Sequence, residues 1–264
     1  MLRGLTSVAK EAKLPTSLLT FGSERNLVLG LIEDRDVAQA AELLVNCFPF
    51  EVSLSTEAGF KEWEVQVLRI PVGLMNAYLR GFSYYEILLG IKLRMGEQLL
   101  NPQIDASGSA MILGVADPST NQIIAVVELE LRIPDGTLPG NWPLPRFIKG
   151  QSAESHSEPY LCNLAVSERW RGQGIGKQLV RLSEHIVRNC WAGSCLYLHV
   201  DPSNEIALQL YQSMGYRPAA PTHTLPPWLL SLLAVPQVTY FSKSLRGADA
   251  KTLRTAVGSS QQSP

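Results

Sequence analysis

The 264-residue chain sets 23 Lys and Arg against 24 Asp and Glu, so no basic surplus marks nucleic acid as a general partner. Hydrophobic residues make up 45% and charged residues 18%, enough for a sizeable core, yet the apolar runs are too short to cross a bilayer. Cys47, Cys162, Cys190 and Cys195 lack metal-ligand spacing, and His156, His185 and His223 are scattered, so a reducing, intracellular setting without a metal is expected.

Residues 1–25 carry little periodicity and read as a loose arm. The opening Met-Leu-Arg-Gly-Leu-Thr-Ser-Val-Ala-Lys-Glu has no secretory apolar core but holds Arg, Lys, Ser and Thr with few acids. A cytoplasmic location is expected, with the plastid as the alternative if this stretch is a transit peptide.

A domain is expected over 26–246. Asn26–Glu33 reads as its first strand, and Asp36 as the N-cap of a helix with Val37, Ala40, Ala41 and Leu44 on one face until Pro49. Residues 56–100 read as helical but interrupted, because Pro71 should end or kink a helix and several glycines weaken it. Trp63, Tyr78, Phe82, Tyr84 and Tyr85 crowd this region, and helix packing is their expected role ahead of a substrate groove. Ser109–Ala116 and Gln122–Arg132 form a hairpin about the turn Asp117-Pro-Ser-Thr-Asn121. On its second strand Glu128 and Glu130 share a face, either solvated or, in a cleft, able to receive a cationic amine. Residues 134–158 read as a long loop.

A strand from about Tyr160 to Val166 then feeds Arg171-Gly-Gln-Gly174-Ile-Gly176 and a helix with Ile175, Leu179, Leu182 and Ile186 on one face and Lys177, Arg181, Glu184 and Arg188 off it, as for a helix lying against a sheet. A glycine turn at a helix N-terminus offers unpartnered N–H groups and a favourable dipole to a pyrophosphate. The glycines fit neither G-x-G-x-x-G nor a Walker loop, since Gln178 stands where the hydroxyl residue belongs. Cys195–Val200 is a further strand, Asn204–Met214 a helix stopped by Gly215, Gln237–Leu245 the last strand, and 247–264 a disordered tail.

The pair R-x-x-G-x-G and [LH]-V-x3-N-x2-A-x3-Y-x3-G-[YF], here Arg171–Gly176 and His199 to Tyr216, resembles the GNAT superfamily of acetyl-CoA-dependent N-acetyltransferases. The wording is most similar to protein acetyltransferases of the N-terminal amine type and of the chloroplast and cyanobacterial branch. The resemblance implies an α/β fold with a mixed, mostly antiparallel central sheet flanked by helices. It also implies acetyl-CoA as co-substrate, no metal, and a protein or peptide amine as acceptor, with no membrane insertion.

By the same resemblance, pantetheine lies beside the strand at Leu164, Ala165 and Val166, and pyrophosphate meets Arg171, Gly172, Gln173, Gly174, Ile175, Gly176 and Lys177. Asn204 either bonds the cofactor arm or caps its helix, and Tyr211, seven residues on and so on nearly the same face, is the candidate general acid. His199 matches a general base of N-terminal acetyltransferases and Tyr160 its companion, with Glu158 and Glu128 as competing bases acting through water. Cys162 raises a ping-pong alternative, but a space-filling strand residue is the expected role. A small-amine acetyltransferase and a non-catalytic acyl-CoA-binding module are the rival readings.

Overall fold

The computed structural model describes residues 27–49, 61–95, 110–132, 134, 157–220 and 238–245. The expected arm, most of the 134–158 loop and the tail lie outside the described residues. In chain order the elements are β1 (Val28–Leu31), α1 (Val37–Cys47), α2 (Glu62–Met95), β2 (Ala110–Asp117), β3 (Gln122–Arg132), β4 (Glu158–Val166), α3 (Ile175–Asn189), β5 (Cys195–Val200), α4 (Glu205–Ser213), β6 (Arg217–Pro218) and β7 (Thr239–Ser244).

The strands form one seven-stranded sheet in the order β1-β2-β3-β4-β5-β7-β6. Every pairing is antiparallel except β4 with β5. The β2–β3 turn begins with an Asx contact, the Ser119 amide donating to Asp117 Oδ1 at 2.9 Å, and returns through Asn121 at φ 55°.

Both faces are covered. Ile32, Ala40, Leu44, Ile91, Ile112 and Val126 join α1 and the C-terminal end of α2 to one face. Leu179, Leu182, Ile186, Tyr211 and Tyr216 join α3 and α4 to Leu113, Leu129, Leu161 and Leu198 on the other. Leu179, Leu182 and Ile186 are fully buried. Each such side chain contributes about 1.5–3 kcal/mol.

Three expectations need correction. Pro71 neither ends nor divides the helix: α2 runs unbroken through Glu62–Met95 with the proline inside. The carbonyl that Pro71 leaves without an N–H donor sits on an exposed stretch, Val67 being 65% and Ile70 76% exposed, so water can serve it. The aromatics of that helix do not pack as a group, because Trp63, Tyr78, Phe82 and Tyr85 are exposed and only Tyr84 joins the core. Glu184, expected on the open face of α3, is buried and takes Lys243 Nζ at 2.7 Å from β7.

Candidate active site

The site begins with an irregularity in β4. Val126 opposes Ala165 and Glu128 opposes Cys162, so Asn163 and Leu164 together face Val127 alone. This is a β-bulge, and Asn163 adopts φ 52°, a left-handed conformation that Asn tolerates better than most residues. A bulge bends its strand and ends regular pairing. Accordingly β4 and β5 meet in register only at Tyr160 and Tyr197, and no ladder joins Asn163–Val166 to β5. The sheet opens there between two parallel strands.

The glycine loop sits at the end of β4. Gly172 and Gly174 have φ of 75° and 80°, where a side chain is strained. Gly174 is the N-cap of α3 and brings no capping side chain, so the first-turn amides of Ile175, Gly176 and Lys177 are left for an incoming acceptor. Gly176 is different: a Cβ there would meet Val166 Cγ2 at 3.7 Å and Leu210 Cδ2 at 3.8 Å, ordinary contact distances. Arg171 folds back, its Nε donating to the Val166 carbonyl at 3.1 Å and its Nη2 lying 3.7 Å from Cys47 Sγ. Gln173 Nε2 donates to the Arg169 carbonyl at 3.3 Å, closing the turn. Of the strand residues assigned to the donor, Leu164 and Val166 are half-buried at the opening, whereas Ala165 is buried toward α1.

After β5, Asn204 is the N-cap of α4, its Oδ1 accepting the Ala207 amide at 3.0 Å. Tyr211, two turns later, is buried in the α3–α4 face with its ring edge-on to Tyr216 at 5.6 Å. Burial pushes the Tyr211 hydroxyl well above its ordinary range, with Cys162 adding to the rise, so it is protonated at neutral pH.

His199 and Tyr160 come together on the opposite face. The Tyr160 hydroxyl and His199 Nδ1 are 2.7 Å apart, and Tyr240 on β7 stands 4.7 Å from the imidazole. Burial also raises Tyr160 well above the usual tyrosine value, and the Arg132 guanidinium lies 5.7 Å from its ring. Glu158 is the first residue of β4, opposite Arg132 and half-buried, two positions before Tyr160 and on the same face.

Glu128 and Glu130 are neither solvated nor open to an amine, since they are 1% and 4% exposed. Arg94 from α2 forks onto Glu128, Nη2 to Oε2 at 3.1 Å, and Asn163 Nδ2 donates to the same Oε2 at 2.7 Å. Arg132 pairs with Glu130, which also accepts Cys162 Sγ at 3.3 Å. Burial pushes the Glu128 carboxyl up, with Glu130 adding to the rise, while Arg94 and the Asn163 amide oppose it by favouring the charged form. The Cys162 thiol is held well above its ordinary value by burial and then by Glu130 and Glu128, so it is no ready nucleophile.

The sequence reading assigned roles to none of Arg94, Asn163, Arg132 or Tyr240. One signal was available: Cys162-Asn163 is a polar break in an apolar strand, opposite two alternating acids.

The geometry is thus a parallel strand pair that parts at a bulge, with a helix N-terminus lacking a capping side chain at the end of β4. Residues 101–216 match the model of the Acetyltransferase (GNAT) family. It is similar to GCN5-related N-acetyltransferase 5, chloroplastic, of Arabidopsis thaliana, at 34% identity over 58 residues, 22% of this chain and 18% of the relative. GCN5-related N-acetyltransferase 4, chloroplastic, of the same plant is 38% identical over 58 residues, 22% of this chain and 20% of the relative. The aligned region thus spans about a fifth of the length of either relative. Among solved structures, a GNAT-family acetyltransferase of Staphylococcus aureus Mu50 is 10% identical with TM-score 0.47, covering 83% of this chain and 99% of that one. Arabidopsis thaliana NAA60 in complex with acetyl-CoA is 13% identical with TM-score 0.45, covering 84% and 100%.

Proposed function

We propose that the protein transfers acetyl from acetyl-CoA to a primary amine of a protein, an N-terminal α-amine or a lysine, by direct attack in a ternary complex. The observation that carries this reading is the opening itself: β4 parts from β5 at the bulge, with Tyr211 buried in the core on one face of the sheet and the Tyr160–His199 pair on the other. The residues fit acetyl-CoA. The amides at Gly174–Lys177 suit its pyrophosphate, and the unpaired stretch Asn163–Val166 suits an amide-bearing pantetheine. Arg171 supports the loop by tying it to the Val166 carbonyl. Asn204 caps α4, which leaves its amide nitrogen for the cofactor arm.

The acceptor nitrogen must be neutral, which is easier for an α-amine of pKa about 8 than for a lysine near 10.4. His199, whose Nδ1 lies 2.7 Å from the Tyr160 hydroxyl, is the base for the amine proton in this reading. Glu158, on the same face, is the alternative base through water. The nitrogen attacks the thioester carbonyl, the C–S bond breaks, and Tyr211 gives its proton to the departing sulfur. Burial opposes a free tyrosinate, so that transfer accompanies C–S cleavage. Cys162, held as a thiol, is not needed as a carrier.

Two features weigh against the rivals. Glu128 and Glu130 already hold Arg94 and Arg132, which removes the acids a diamine would seek. An acyl-CoA-binding module without turnover has no use for a buried acid at Tyr211.

The relatives' names support a plastid location over a cytoplasmic one, and a fluorescent fusion of the full chain tests it. For the acceptor, mass spectrometry of proteins co-expressed with the enzyme separates the classes. New N-terminal or lysine acetylation supports the reading, and wild-type levels of both, with acetylated polyamines instead, would overturn it.

A further inference from the structure

The bulge that opens the sheet is braced from outside the opening. Asn163 holds a left-handed backbone, and its amide donates at 2.7 Å to a carboxylate, Glu128 Oε2, on the neighbouring strand. That carboxylate is fixed in turn by the two-point fork of Arg94, which reaches it from the last turn of α2. Arg94 and Glu128 are 8% and 1% exposed, so the geometry is set by the protein interior. Arg94 stands between Ile91 and Met95, which pack with α1 and with Ile112 and Val126 of the sheet, so α2 has little freedom to shift there.

We propose that Arg94, Glu128 and Asn163 are positioning residues that lock the β4 bulge and thereby fix the opening between β4 and β5 for the acyl donor. The proposal rests on the acetyl-CoA reading for its ligand but not for the lock. Left-handed backbone at a non-glycine residue costs about 1–2 kcal/mol and needs a compensating contact. A hydrogen bond to a charged, buried acceptor supplies one. Without it β4 can return toward regular extended pairing, closing the space beside Leu164 and Val166.

Two double variants of the full chain separate the lock from the ion pair. Arg94→Leu with Glu128→Gln removes both charges but keeps an acceptor for the Asn163 amide. Arg94→Leu with Glu128→Leu removes both charges and the acceptor. In ligand-free protein, amide hydrogen exchange over 161–166 should stay near wild type in the first and quicken in the second. By calorimetry, the acetyl-CoA dissociation constant should stay within about threefold in the first and rise about tenfold or more in the second. Equal exchange and equal affinity in the two variants would overturn the lock. If wild type does not bind acetyl-CoA, the donor reading fails, while the ligand-free exchange still decides the lock.

Discussion

Removing Glu128 alone should be among the most damaging single changes in this chain. The carboxylate is 1% exposed and Arg94 is 8% exposed, so neither charge can turn to water when its partner is lost. In Glu128→Leu the guanidinium loses both carboxylate oxygens and the Asn163 amide loses its acceptor. Breaking a buried pair by removing one partner costs about 3–5 kcal/mol, and no discount for screening applies at this depth. Adding Arg94→Leu removes the stranded charge and leaves chiefly the orphaned amide, a cost of about 1–3 kcal/mol. The double variant should therefore be more stable than Glu128→Leu alone. Urea unfolding followed by far-UV circular dichroism gives the midpoints, compared at constant slope. If Glu128→Leu unfolds within about 1 kcal/mol of wild type, Arg94 and Glu128 do not depend on each other as a buried pair.

Three further outcomes follow from the site. Gly174→Ala should destabilise by about 1–2 kcal/mol because φ is 80° there, whereas Gly176→Ala, helical and with only ordinary contacts, should be neutral or slightly stabilising; thermal melts distinguish them. Tyr211→Phe should lower turnover about 10²–10⁴-fold while acetyl-CoA still binds, and unchanged turnover in a thiol-release assay removes Tyr211 as the acid. The folded-state values of Tyr160, Cys162 and Tyr211 all lie above their ordinary ones. Raised values favour the folded state fully below the unfolded pKa, about 8.5 for Cys and 10 for Tyr, and that stability is lost as pH climbs further. Melting temperature should accordingly hold from about pH 7 to 8.5 and decline above about pH 10; a rise there would contradict the buried, protonated assignment.

Local patterns carried much of the fold. Period-2 runs placed β2, β3 and β5 to within a residue or so, and the 3.6 period with its glycine stop placed α3 and α4. The glycine loop was legible because left-handed turns need glycine, and Gly172 and Gly174 have that geometry. Helical spacing also set Asn204 at the start of α4 and Tyr211 two turns on, although Asn204 is its exposed N-cap and Tyr211 is buried.

What the sequence could not fix is anything that depends on a partner distant in the chain. β7 enters between β5 and β6, which sets Tyr240 beside His199, and strand order is not a local property. Pro71 was expected to end or kink a helix, and α2 runs on through it, where exposure lets water take the carbonyl it strands. Glu128 and Glu130 alternate as a solvated face would, and only Arg94 and Arg132 turn that face into buried ion pairs. The bulge belongs to the same class. Asn163 is one polar residue in a strand until the register with Val127 and the Arg94–Glu128 pair decide that β4 must part from β5. The glycine loop is therefore set by backbone propensity alone, while the opening it serves is set by long-range packing and charge.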